Sequence, residues 1–249
     1  PERRPTILFA LCACNACDAV TTTSVGFILN LIGDDVTMSP IGVTDFQKTL
    51  LSSAVFAGMS VGGIIAGYLA NKFGRTHTLF ASLLLQALTT LAGALLPSIN
   101  VFLVSRIATG VAIGATVPVL FILTPEIVAP TKREAYLTYV TGAFAFGGIF
   151  TAGLAYLCFA IVCTHWRTYY AWTALWPLLT AGLVFHFIPQ SPVHLARDPD
   201  NFQALKESLF YLQPGASETC IQNVAAYNTD WGQQEPKPLW PPGAKAKGR

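Results

Sequence analysis

Hydrophobic residues fall into six long runs, each dotted with small residues and separated by short stretches where charges, glycine and proline concentrate. About 20 consecutive apolar residues let a helix cross a ~30 Å hydrocarbon core, and an open backbone there must satisfy its own hydrogen bonds. The pattern predicts spans over about 6–32, 49–70 and 78–96, a fourth opening at 103 and leaving through a polar exit at 133, then 135–162 and 169–188. From 197 the pattern changes. Residues 201–212 read as a short amphipathic helix with Leu205, Leu209 and Leu212 on one stripe. After Gln213 the chain is rich in Pro, Gly, Gln and Asn and closes on Lys237, Lys245, Lys247 and Arg249, with little capacity to bury a core. The expected architecture is an all-α membrane protein: a six-helix transmembrane domain over 1–196, then a soluble amphipathic helix and irregular tail over 197–249.

Polar residues inside the runs are the candidates for function. In span one, Asn15, Asp18 and Thr22 recur at spacings of three and four and share a helical face. Asp18 is the only carboxylate deep in any span, and Arg106 lies within span four. A charge at such depth costs about 2.5–3.5 kcal/mol on insertion scales, so each should face a polar cavity or a partner. At 1.5 Å per residue Asp18 sits ~18 Å and Arg106 ~27 Å from the same membrane boundary, about two helical turns apart; a direct pair between them stays open. Small residues at four-residue spacing, Gly58, Gly62, Gly63 and Gly67 in span two and Gly110 and Gly114 in span four, suit close helix contact. Span three holds a single amide, Gln86.

Composition agrees with this pattern. The 249-residue chain is 53% hydrophobic and 11% charged, against about 25% charged in a soluble domain. A formal charge of +2 and the lack of a basic, aromatic-interleaved patch give no reason to expect nucleic acid. Cys12, Cys14, Cys17 and Cys158 lie in apolar runs, where a reduced cysteine acts as a small hydrophobe; Cys163 and Cys220 are the accessible ones. Cys14 and Cys17 form a C-x-x-C, but Asp18 follows where c-type haem attachment requires histidine, and no cofactor or metal is expected. The histidines His77, His165, His186 and His194 lack metal-ligand spacing, no nucleophile sits beside a base, and no enzyme is expected. The first run is too long and too polar in its middle for a secretory signal and reads as a retained helix.

The order Arg106, Gly110, Gly114, Glu126 and Arg133 resembles the fourth helix and following loop of the sugar-porter branch of the major facilitator superfamily, with Ala108 where a larger aliphatic residue is usual. The stretch Gly67, Asn71, Lys72, Gly74, Arg75, Thr76, His77 resembles that superfamily's loop between helices two and three. Asn71 replaces the usual acid there, and Thr76 a second basic residue. Trp166-Arg167 is similar to the pair before the sixth helix, although Trp166, Tyr169, Tyr170 and Trp172 suit an interfacial aromatic belt equally well. Pro189-Gln190-Ser191-Pro192-Val193 resembles the porters' box after helix six, with the acid and the arginine replaced. The resemblance implies one six-helix half of a transporter. Lining a central cavity, Asp18, Asn15, Thr22 and Arg106 would bind substrate or couple a proton, as intramembrane polar groups do in pumps and transporters, and the resemblance adds Thr141, which stands where sugar porters carry a sugar-binding glutamine. It further implies a conformational-switch network at Gly67, Asn71, Lys72, Gly74, Arg75, Glu126 and Arg133, altered at Asn71.

Lys and Arg concentrate at 1–5, 71–77, 129–133 and the tail, while the intervening loops hold only Lys48 and Arg167. By the positive-inside rule both termini face the cytoplasm, or the matrix of a mitochondrion. Alternating access in such folds rocks two halves about a midplane site. The expected function is therefore a porter-like half for a small polar or organic solute, partnered by the lipid bilayer and by a second six-helix half. The alternative is a non-transporting accessory subunit of a larger membrane assembly.

Overall fold

A computed structural model describes residues 4–33, 43–128, 132–191, 195 and 202–212. Val193, Cys220, the acidic segment 34–42 and the basic tail lie outside the described residues. The chain divides into two compact units, Pro1–Ser191 and Pro192–Arg249, where the sequence pattern places the change at 196/197. The second contributes one described helix, α7 (Phe202–Leu212).

The first unit is a bundle of α1 (Arg4–Gly33), α2 (Asp45–Phe73), α3 (Arg75–Leu95), α4 (Ile99–Ile127), α5 (Arg133–Tyr156) and α6 (Trp166–Phe187). Five of these spans are long and apolar enough to cross a membrane, that of α5 running on to Ile161. The sixth, α6, has the length at 22 residues, but its tryptophans, tyrosines and threonines lower its hydropathy below that of the others. Large apolar side chains stand exposed around the bundle, among them Phe9, Phe56, Ile64, Leu88, Phe146, Ile149 and Phe185. Water does not tolerate so much exposed apolar surface, and lipid does.

Helices begin earlier than hydropathy suggests. Residues 43–48, expected in a loop, carry the start of α2: Thr44 Oγ1 accepts from Gln47 N–H at 3.3 Å, and Gln47 Oε1 accepts from Thr44 N–H at 3.0 Å. This reciprocal pair satisfies two of the donors a helix start leaves free. Only Gly74 separates α2 from α3, with φ 91° and ψ 157°, a region reserved for glycine. At the other end of the bundle α5 does not run straight to 162; it ends in a π-helical turn, Leu157–Ile161, closed by Val162 N–H to Leu157 C=O at 3.0 Å.

Glycines set the helix pairing. A Cβ at Gly58 or Gly62 would collide with the α4 backbone at Ile107 and Val111, and one at Gly110 or Gly114 would collide with the α2 backbone at Val55 and Met59. The two helices thus touch backbone to backbone, each supplying the other's gap. Gly147 repeats the device between α5 and Ala16 of α1, whereas Gly67, expected to pack with its neighbours, faces open space. Beyond these pairs, α3 packs on α4 and α6, and α1 on α6. The end opposite the α2–α3 turn is filled by Val25, Ile28, Leu51, Phe102, Trp166, Tyr169 and Tyr170. Trp166 meets Phe102 edge-on at 6.1 Å, so Trp166, Tyr169 and Tyr170 are core residues rather than interfacial anchors; Trp172 is exposed.

Candidate functional site

Two polar clusters interrupt the apolar bundle. The first lies at mid-depth, where α1, α3, α4 and α6 converge. Asp18 and Arg106 are enclosed, 0% and 1% exposed. Arg106 donates through Nη1 to Tyr170 Oη at 2.7 Å, and Nη1 and Nη2 reach the Thr21 carbonyl at 3.5 and 3.4 Å. Gln86 of α3 donates to Thr21 Oγ1 at 2.5 Å. Ser82 pairs with Thr116 at 2.9 Å and Thr89 with Thr109 at 2.8 Å, stitching α3 to α4. Asn15 turns away from this cluster and donates to the Val140 carbonyl of α5 at 2.8 Å.

Asp18 and Arg106 do not pair: Arg106 takes neutral partners, and both Asp18 oxygens are buried with no hydrogen-bond partner at ordinary geometry, Gln86 being the polar side chain beside them. Both side chains are enclosed within the bundle, where the sequence expected each to face a polar cavity or a partner. The reason is packing, because α1 is covered by α5 on one side and by α6 on another, which seals the turn carrying Asp18. Arg106 Nε and Thr22 Oγ1 are likewise buried without a partner. Thr141 stands apart, exposed on α5 with its hydroxyl returned to the Leu137 carbonyl at 2.8 Å.

The second cluster closes the α2–α3 end of the bundle. Arg75 Nη2 meets Glu126 Oε1 at 3.2 Å, with side chains 7% and 15% exposed. Ser191 Oγ donates to the other Glu126 oxygen, Thr76 Oγ1 donates to the Pro189 carbonyl at 2.9 Å, and Gln190 bonds His77. Gly74 makes the geometry available: its carbonyl accepts Thr78 N–H at 3.2 Å and Thr78 Oγ1 at 2.8 Å, which starts α3 immediately and aims Arg75 at α4. Of the predicted switch residues, Gly74, Arg75 and Glu126 come together. Gly67, Asn71, Lys72 and Arg133 remain on the surface, with Arg133 Nε donating to the Val128 carbonyl at 3.4 Å.

Sequence reasoning missed Thr21, Tyr170, Thr76, His77 and Ser191 as members of these clusters. A buried tyrosine in an aromatic-rich run looks like any interfacial one, and Ser191 carries no charge to mark it. The signal that could have been read was Gln86, an amide alone in an apolar span, which must find polar company.

Long apolar helices enclosing an aspartate, an arginine and a glutamine, closed at one end by a largely buried ion pair, define a polytopic integral membrane protein. The family model of the Major Facilitator Superfamily matches residues 11–238, and the chain belongs to that superfamily of membrane transporters. Synaptic vesicle glycoprotein 2A of Rattus norvegicus is 30% identical over 151 residues, 61% of this chain and 20% of that protein. Synaptic vesicle glycoprotein 2B of Rattus norvegicus is 27% identical over 198 residues, 75% of this chain and 28% of that protein. The chain therefore spans roughly a fifth to a quarter of the length of these curated relatives. Among solved structures, the xylose transporter XylE from E. coli in a partially occluded inward open conformation superposes with TM-score 0.77 at 17% identity, covering 93% of this chain and 60% of that one. The peptide transporter POT in complex with sulfate gives TM-score 0.64 at 13% identity over 87% and 48%. At these identities the likeness establishes the shared fold.

Proposed function

We propose that this chain supplies one six-helix half of a secondary transporter for a small polar or organic solute, competent only with a second six-helix half. The observation that supports it is Asp18, enclosed at mid-depth with Gln86 as its polar neighbour and, among the described residues, no cation paired to it. A carboxylate sealed in an apolar bundle without a cation is costly and is rarely kept in a span without a role. Rocking of two halves about a midplane site would loosen α1 from its neighbours and let Asp18 exchange a proton with water, coupling proton movement to the solute. Arg106, held in reserve on Tyr170 and Thr21, is the cation that Asp18 could meet in another state. Asn15 and Thr22 border Asp18 on α1, and Thr141 lies on an exposed face of α5 open to a partner half. In the same reading the Arg75–Glu126–Ser191 cluster is the latch, and Gly67, Asn71 and Arg133 are the surface positions that the second half would meet, while Lys72 on the last turn of α2 faces the α2–α3 side. Both termini then lie on the basic-loop side, cytoplasmic or matrix.

The test is Asp18→Asn in the complete protein, reconstituted and driven by a pH gradient. Uptake should fall to background with folding unchanged; uptake that persists and still follows the gradient refutes the reading. One observation favours the accessory-subunit alternative, namely that Asp18 and Arg106 are both enclosed within the bundle. Under that reading the same variant alters only the mass of the native assembly on a blue native gel.

A further inference from the structure

A groove of about 760 Å³ opens on the side of the bundle between α2 and α3, with α4 as its floor. That volume lies within the ~300–1,000 Å³ of small-molecule sites. Its body is mostly apolar, with Ile65 on α2, Ala81 and Leu85 on α3 and Val111 beneath, Ser82 having its hydroxyl engaged with Thr116, and the end at the α2–α3 turn holds Lys72, His77 and Thr78. Ile65 and Leu85 are partly exposed along it, so it faces outward. From Lys72 back to Ile65 is seven residues, and from His77 on to Leu85 eight, so it runs about 10–12 Å along the helices.

The charge at its mouth distinguishes this groove from an ordinary seam. Lys72 Nζ lies 5.3 Å from the Phe73 ring and 5.9 Å from the Tyr68 ring, and among the described residues it forms no ion pair. The adjacent cation, Arg75, is already committed to Glu126. Among the described residues no acidic side chain lines the groove. It therefore presents one uncommitted ammonium group at the last turn of a membrane helix, where headgroups lie, above an apolar channel leading toward the hydrocarbon. We infer that this groove binds one anionic phospholipid, its phosphate on Lys72 and the upper part of one acyl chain between Ile65 and Leu85. The inference needs only a bilayer around the chain and stands apart from the transport reading.

Native mass spectrometry of the full chain, released from nanodiscs holding equal amounts of phosphatidylglycerol and phosphatidylcholine, tests it. Phosphatidylglycerol adducts should exceed phosphatidylcholine adducts about five-fold, the factor expected of one lysine at an anionic surface. Lys72→Gln should abolish the preference, Lys72→Arg should keep it, and Ala81→Trp, which fills the channel, should reduce both adducts together. Equal retention of the two lipids, or an unchanged preference in Lys72→Gln, overturns the proposal. So does glycerol phosphate displacing the lipid outright, which would mark a site for free phosphate. A photoreactive side chain at Leu85 gives an independent measurement in native membranes: a lipid adduct supports the inference, and a crosslink to another protein segment shows that a partner helix fills the groove and overturns it.

Discussion

Gly147 and Gly148 are adjacent on α5, and the structure gives them opposite sensitivity. A Cβ added at Gly147 would overlap the carbonyl oxygen of Ala16 and lie 2.9 Å from both its carbonyl carbon and its Cα, while one at Gly148 would meet nothing within 4 Å. The obstruction is backbone, which cannot swing aside as a side chain would, so Gly147→Ala must push α1 and α5 apart. Overpacking of this kind costs about 1–3 kcal/mol. The same displacement strains the 2.8 Å bond between Asn15, next to Ala16 on α1, and Val140, two turns before Gly147 on α5; breaking it would add about 1–3 kcal/mol for a buried polar group left unpaired. Alanine also gains about 1 kcal/mol over glycine in a helix, but both substitutions gain it, and the difference between them isolates the contact. Reversible unfolding in mixed micelles should place Gly147→Ala at least about 2 kcal/mol below Gly148→Ala, with Gly148→Ala at or above the parent. Equal midpoints for the two variants would refute the claim that backbone contact at Ala16 sets the α1–α5 distance.

Gly74→Ala forces a side chain into a backbone region that only glycine occupies comfortably and should cost about 1–3 kcal/mol, read as a lowered unfolding midpoint. Tyr170→Phe removes the 2.7 Å partner of Arg106 and should destabilise by about 1.5–3 kcal/mol, as expected for a hydrogen bond to a charged group; a change below 0.5 kcal/mol, roughly the scatter of a neutral surface substitution, would show that Arg106 has another partner to turn to. Cys163 is free and exposed in the loop before α6. If the basic loops lie inside, a membrane-impermeant maleimide should label it from outside in intact cells or vesicles, and Cys163→Ser should remove that label. Labelling of Cys163 only after permeabilisation would invert the orientation.

Much of the fold was legible before any coordinates. A bilayer imposes a length, and the six apolar runs map onto α1–α6 because each had to be long enough to cross it. Helix ends drifted outward, to Asp45, Ile99 and Trp166 among others, because backbone hydrogen bonding continues past the hydrocarbon edge where hydropathy has already fallen. The Thr44–Gln47 capping pair was readable as T-x-x-Q but lay in a stretch that looked like loop. Gly110 and Gly114 were legible as a contact face; that they meet Val55 and Met59, or that Gly147 rather than Gly148 meets Ala16, was not.

The sequence by itself determined that the chain spans a membrane as a helical bundle of a known family, and that Asp18, Gln86 and Arg106 must each be accommodated there. This follows because the cost of placing a polar group in lipid belongs to the residue. Only the tertiary structure decided who accommodates them: Tyr170 and a backbone carbonyl for Arg106, Thr21 for Gln86, Val140 for Asn15, Ser191 as a second partner to Glu126, and for Asp18 the neighbouring Gln86 with no cation among the described residues. A helical period fixes a side chain's direction about its own axis alone. The distance and rotation between two helices, set here by which glycines lack a Cβ at the crossing, decide what that side chain meets.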